Sequence, residues 1–249
     1  SEGKESALLE EKEVGFGNGE MTEKYSNDMV IDSKLSCKVQ TNGEVAVYHL
    51  PYINYDSKAC ENVNAQVEKI GDDYIAKPGD DYAKCIAIGY EWSIYQDLLS
   101  VVVRVDYEAI QISDFYVYMI DLSKDVLLSK NDVLAYLDID ENLYEKKVQD
   151  ALDSYFTNTY NDMEATDPML KEIHDQTLAM SNVREAVPYV DENSELCVIC
   201  TLYTMATPSY YSSKLSVDNL EDKCEYGGIV IESPYNNSTT EGYFSDDYI

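Results

Sequence analysis

Histidine is the side chain best suited to moving protons near neutral pH, and the chain has only two, His49 and His174. Neither lies in a motif with a nucleophile. There is no G-x-S-x-G elbow, no H-E-x-x-H and no phosphate-binding glycine loop. Triads are set in space rather than in sequence, so a Ser-His-Asp arrangement is not ruled out on spacing alone. Even so, no catalytic residue is expected. The GFGNG cluster at 15–19 lacks the preceding strand that a nucleotide loop needs. Cys197 and Cys200 form a C-x-x-C, but the surrounding LCVICTLY reads as a strand. In a strand those two side chains face opposite sides, the wrong geometry for a shared metal or a redox pair. Both are expected to act as small buried apolar groups. With six cysteines, fifteen disulfide pairings are open. Paired acids recur at Asp72-Asp73, Asp80-Asp81 and Asp246-Asp247, and in so acidic a chain they read as solvated faces. No metal site and no cofactor are expected.

Tyrosine is more informative, with 23 residues against four Phe and one Trp. It is a good strand former, and it supplies rigid amphipathic contact area at low entropic cost in recognition surfaces. The cluster Tyr203, Tyr210 and Tyr211, near Pro208, is the candidate ligand-binding patch.

Eighteen basic residues against 48 acidic ones give a formal charge of −30. Phosphate neutralisation needs an excess of Lys and Arg, so nucleic acid is not an expected partner. The charge suits a soluble, self-repelling surface or a strongly basic partner. No apolar run approaches the length of a membrane-spanning helix, so no transmembrane segment is expected. Ser1 is not an initiator methionine, and the chain is expected to be a processed form from which a signal or anchor has been removed.

The elements that would position these residues begin after an acidic tether, 1–30. Residues 36–48 (SCKVQTNGEVAVY) read as a hairpin around Asn42-Gly43. Pro51 should end the pairing, and residues 54–57 (NYDS) should cap a helix over 58–75. Val63, Val67, Ile70 and Cys60 form its apolar face, and Gly71 stands where it could close the helix. Lys77 to Asp81 is a turn cluster. Two strands at 82–105 and a third at 115–121 form a meander. A helix begins near Ser129. Asp138, Asp140 and Asn142 imitate a calcium loop, but Leu143 and Gln149 stand where Gly and Glu are needed, so a helix over 141–160 is the better reading. A short helix at 169–180 lies between the breakers Pro168 and Pro188. Strands follow at 195–204 and 210–217, with a short one at 229–231. The fold class is α+β, with two abutting subdomains (31–110 and 111–232), each an antiparallel sheet packed with helices, and an acidic polar tail at 233–249.

Several segments resemble a family of extracytoplasmic domains of unassigned chemistry. These occur in RsiV-type, lysozyme-binding anti-sigma factors and ahead of peptidoglycan deacetylase domains. Residues 54–68, with Val63-Asn64, are similar to the family's early helix. Residues 97–105 (DLLSVVVRV) and 118–137 (YMIDLSKDVLLSKNDVLAYL) are similar to its central strands and the following helix start. Residues 190–215 are similar to its closing hairpin. One departure is plain: residues 108–113 (EAIQIS) replace a Gly-Gly-Ala-His-Gly-like loop of many members. Charge and resemblance together imply a non-catalytic, extracellular or surface-anchored binding protein of a bacterial cell envelope. It would recognise a basic protein such as lysozyme, or a cell-wall component. The alternatives are an accessory domain of a peptidoglycan-modifying enzyme and a structural envelope protein.

Overall fold

The computed structural model describes residues 24–41, 44–75, 84–107, 113–161, 166–205 and 209–217. Outside them lie residues 1–23 of the expected tether with its GFGNG cluster, the Asn42-Gly43 turn and the Lys77 to Asp81 turn. The substituted loop before Ser113, Pro208, Cys224, the strand at 229–231 and the tail also lie outside. The class is α+β, as expected, with five helices and three sheets among the described residues. They separate into two compact units at Leu128/Ser129.

The first unit is built on a sheet ordered β2-β3-β5-β6-β7-β8. Its strands are β2 (Cys37–Thr41), β3 (Glu44–Tyr48), β5 (Cys85–Tyr95), β6 (Leu98–Tyr107), β7 (Ser113–Asp121) and β8 (Val126–Leu127). The division therefore does not fall at 110/111. β7 pairs with β6 from Leu98↔Asp121 to Asp106↔Ser113 and carries β8 on its other edge. Every pairing is antiparallel except β3 with β5. That parallel pair requires a crossover, supplied by α1 (Lys58–Tyr74). Two short strands, β1 (Val30–Asp32) and β4 (Pro51–Ile53), form a separate antiparallel ribbon. The β2–β3 pairing has ended at Tyr48, and Pro51 opens the next strand. The first position of a strand tolerates the missing N–H. The tether also stops short of residue 30, because Tyr25, Met29 and Val30 are buried in the core.

Spacing explains α1. Cys60, Val63, Val67 and Ile70 recur at helical period and are all buried. Ser57 caps it, its side chain accepting from the Cys60 N–H at 3.0 Å. Gly71 is not the cap; the helix runs to Tyr74 and closes on Ile75. Gly71 is there for close approach, since a Cβ would sit 3.2 Å from Leu35 Cδ1. Two further contacts fix the helix. The Asp125 carboxylate, from the β7–β8 turn, accepts from the N–H groups of Lys58 (3.1 Å) and Ala59 (2.9 Å). Asn64 pairs with Ile53 as a strand would: the Ile53 N–H donates to Oδ1 at 2.8 Å, and Nδ2 donates to the Ile53 carbonyl at 3.0 Å.

The second unit holds α2 (Lys130–Tyr136), α3 (Glu141–Tyr160), α4 (Pro168–Leu178) and α5 (Met180–Glu185). A sheet ordered β11-β10-β9 completes it, from β9 (Val187–Val190), β10 (Leu196–Tyr203) and β11 (Tyr210–Ser216). Ser129 and Asp132 form a reciprocal capping box on α2. Asp140 caps α3 through the Leu143 N–H, which accounts for the acidic run that imitated a calcium loop. The expected helix at 169–180 ends at Leu178, and a new one starts after Ala179, whose φ −56 and ψ 135 break the helix. Pro188 is not a breaker either. It lies in β9, opposite Val198, on an edge strand where a missing N–H is tolerated. No described helix is long and apolar enough to cross a membrane.

Two outcomes follow. Asn64→Ala strands the N–H and carbonyl of buried Ile53, and denaturant titration should show a loss of about 1–3 kcal/mol. The Asp125 carboxyl is held below its ordinary value, chiefly by the Ala59 N–H and then by Ser57. A depressed carboxyl stabilises the fold above the ordinary value and loses that effect as the pH falls below about 3.9. Asp125→Ala should therefore lower the melting temperature at neutral pH, and the gap from the parent should close in acid.

Candidate functional site

The three tyrosines expected to form a patch lie at the turn end of the β10–β11 hairpin, and the pleat divides them. Tyr203 and Tyr210 sit directly opposite each other, with ring centroids 6.3 Å apart. Tyr211 is opposite Leu202, so it faces the other side of the sheet. There its hydroxyl meets that of Tyr155 on α3. The patch is thus a Tyr203–Tyr210 pair, with Tyr211 as an anchor behind it. Tyr210 is 51% exposed, and Met205 beside it is 44% exposed.

The hairpin end is held from several directions. The Tyr160 hydroxyl donates to Thr204 Oγ1 at 3.0 Å and accepts from the Met205 N–H at 3.3 Å. The Thr204 N–H donates to the Ser209 carbonyl at 2.9 Å. Buried Thr177 on α4 accepts from the Tyr203 N–H at 3.3 Å. Behind them, Phe156 packs on Tyr160 with centroids 4.6 Å apart. These contacts make the pair a fixed aromatic surface. The anchors carry no local sequence signal: Tyr155, Tyr160 and Thr177 are far from the hairpin along the chain and meet it only through helix packing.

Both histidines are engaged with carboxylates. His174 Nε2 lies 2.7 Å from Asp153 Oδ1, and its ring stacks on Phe156 at 4.4 Å. Asp153 and Phe156 belong to α3, so His174 ties α4 to that helix. In the other unit, His49 is buried and its Nδ1 lies 3.1 Å from Asp32 Oδ2. Asp32 Oδ1 accepts from the Tyr90 hydroxyl at 2.8 Å. Asp32 comes from β1, His49 from the β3–β4 connection and Tyr90 from β5, so only the fold brings them together.

Cys197 and Cys200 are buried thiols, not joined in a disulfide, on opposite faces of β10, as their spacing implies. Cys197 Sγ lies 3.6 Å from Asp191 Oδ2, and Cys200 Sγ lies 3.7 Å from the Ser213 carbonyl. Cys37, Cys60 and Cys85 are not joined in a disulfide either. Burial pushes the Cys85 thiol up to about 12, which leaves it a poor nucleophile. Among the described residues, no group of three or more His, Cys, Asp or Glu is placed to hold a metal ion.

A second tyrosine cluster lies in the first unit. The Tyr74 and Tyr116 hydroxyls are 2.7 Å apart, and those of Tyr107 and Tyr74 both donate to Asp114. Burial first, and these hydrogen bonds second, push Tyr107 and Tyr116 far above the ordinary phenol range.

No protein-family model matches the chain, and no curated protein sequence matches it.

The tyrosine environments fix the alkaline behaviour. Burial raises Tyr48 to about 12, and Tyr107, Tyr116, Tyr118 and Tyr144 are raised too. A phenol raised in the folded state opposes folding once its unfolded form ionises. Stability should therefore be unaffected below about pH 10 and fall above it. Ultraviolet titration should show a first wave from the exposed phenols, then a second wave that coincides with loss of near-ultraviolet circular dichroism.

Proposed function

We propose that the chain is a non-catalytic binding module of a bacterial cell envelope, displayed outside the cytoplasm, which recognises a strongly basic protein of the lysozyme type. The fixed, half-exposed Tyr203–Tyr210 pair carries this reading. Interface hot spots concentrate on rigid aromatics, because little side-chain entropy is lost when they are buried. The charge of −30 supplies long-range attraction to a cationic partner. The resemblance of residues 54–68, 97–105, 118–137 and 190–215 to the domain of lysozyme-binding anti-sigma factors gives the partner class. A cell-wall ligand is the second reading. An exposed tyrosine pair suits the face of a sugar ring as well as a protein surface.

Calorimetric titration with lysozyme should show association at low salt that weakens at moderate salt, as exposed charges are screened. Converting both Tyr203 and Tyr210 to Ala should weaken it by about tenfold or more while the melting temperature stays close to the parent's. No association at either salt would remove the lysozyme reading, and undiminished binding by the double variant would remove the patch.

A further inference from the structure

A concave site of about 560 Å³ lies in the first unit, between the β1–β4 ribbon and α1. That volume suits a small organic ligand or one long side chain. Ile31, Leu35, Pro51 and Val67 give it apolar walls, and Tyr52, 44% exposed, stands on its rim. The polar lining has a definite sign. Asp32, Glu61 and Glu68 contribute carboxylates, and Lys34 is the one basic residue of the lining.

Each feature has a local cause. Glu61, Asn64 and Glu68 recur at helical spacing, so α1 presents them as one stripe. Asn64 clamps α1 to β4 through Ile53, which sets the separation of the two walls. Asp32 ends β1, and its carboxylate is oriented by the Tyr90 hydroxyl at 2.8 Å and by His49 Nδ1 at 3.1 Å. Its side chain is 16% exposed. A carboxylate already held in place does not reorganise when a counter-charge arrives.

We propose that this site takes an alkyl cation, an ammonium or guanidinium on a chain of a few methylenes. The charged head meets the field of Asp32, Glu61 and Glu68. The methylene stem lies along Ile31, Leu35 and Val67, and the Tyr52 ring offers a face to the cation. An anion of the same size is repelled, and a neutral chain gains only the wall contacts. The chemistry is shared by a free diamine or basic amino acid and by a Lys or Arg side chain of a protein partner. The site goes beyond the tyrosine-pair reading and does not depend on it, since none of its residues belongs to the β10–β11 hairpin.

The test is nuclear magnetic resonance titration of the isotope-labelled full chain with three probes: N-acetyl-lysine amide, N-acetyl-arginine amide and the neutral N-acetyl-norleucine amide. The two cations should shift Ile31, Tyr52 and Asn64 saturably, and the neutral probe should not. Glu61→Gln with Glu68→Gln changes only exposed positions of α1 and should weaken the cation by about tenfold. Asp32→Asn should remove binding. The inference is overturned if no saturable shift appears at these residues, if the neutral probe binds equally, or if the glutamine double variant binds as the parent does. Lysozyme added as competitor separates the sources: displacement of the lysine probe assigns the site to a protein side chain, and its retention assigns it to a free small cation. Cation binding by a chain that does not bind lysozyme at all would uphold this site while removing the lysozyme reading.

Discussion

Like-charge repulsion is the constraint under which this fold is built. With 48 acidic and 18 basic side chains, most carboxylates have no cation to meet. The structure turns many of the aspartates onto backbone N–H groups instead. Asp140 and Asp167 cap α3 and α4 directly. Asp132 closes the capping box on α2, and Asp125 reaches from a turn to the start of α1. Asp121 Oδ1 accepts from the N–H groups of Ser123 and Lys124, and Asp191 Oδ1 accepts from those of Asn193 and Glu195. A helix start carries unpaired donors and partial positive charge, so an anion there is stabilising where an anion elsewhere adds to the repulsion.

This use of carboxylates also decides how α1 is seated. Its N-terminus is fastened by Asp125 and its middle by Asn64, while its apolar face is pressed into the core by Val63, Val67 and Ile70. The odd-numbered side of β6, from Leu99 through Val101 and Val103 to Val105, belongs to that same core. A helix attached by its apolar face alone could slide or rotate by a residue at modest cost. Directional bonds from two other elements remove that freedom, and they keep open the hollow between helix and ribbon.

Much of this was legible in the sequence where one element carries its own signal. The strands at 82–105 and 115–121, the helix start near Ser129 and the period of α1 each depend on neighbours within a few residues. The misreadings share a cause. Pro188 reads as a breaker because proline lacks a donor, but whether a donor is needed depends on where the strand lies in its sheet. Gly71 reads as a cap by its freedom at positive φ, when its missing side chain is what matters against Leu35. The boundary at 110/111 failed because strand partnership between β6 and β7 is a tertiary fact. Tyr203, Tyr210 and Tyr211 are close in sequence, but only strand register separates the Tyr203–Tyr210 pair from Tyr211 on the other face.

The same charge imbalance bears on the tyrosine count. A buried or half-buried carboxylate needs donors, and lysine and arginine are scarce. Tyr90 donates to Asp32, Tyr107 and Tyr74 to Asp114, and Tyr25 to Asp97. A phenol supplies a donor with a large apolar body, so it satisfies the acid and fills core volume at once. Hydroxyl pairs do related work without any charge, as at Tyr155–Tyr211 and Tyr74–Tyr116. Part of the tyrosine content thus serves internal hydrogen bonding among the described residues, alongside its fitness for strands. What sets Tyr203 and Tyr210 apart is that their rings meet in a tilted pair at the turn end of the hairpin, where Tyr160 and Thr177 hold the adjoining backbone and side chains. An aromatic pair held in that way loses little conformational freedom on contact, because its position is already set by the backbone that carries it.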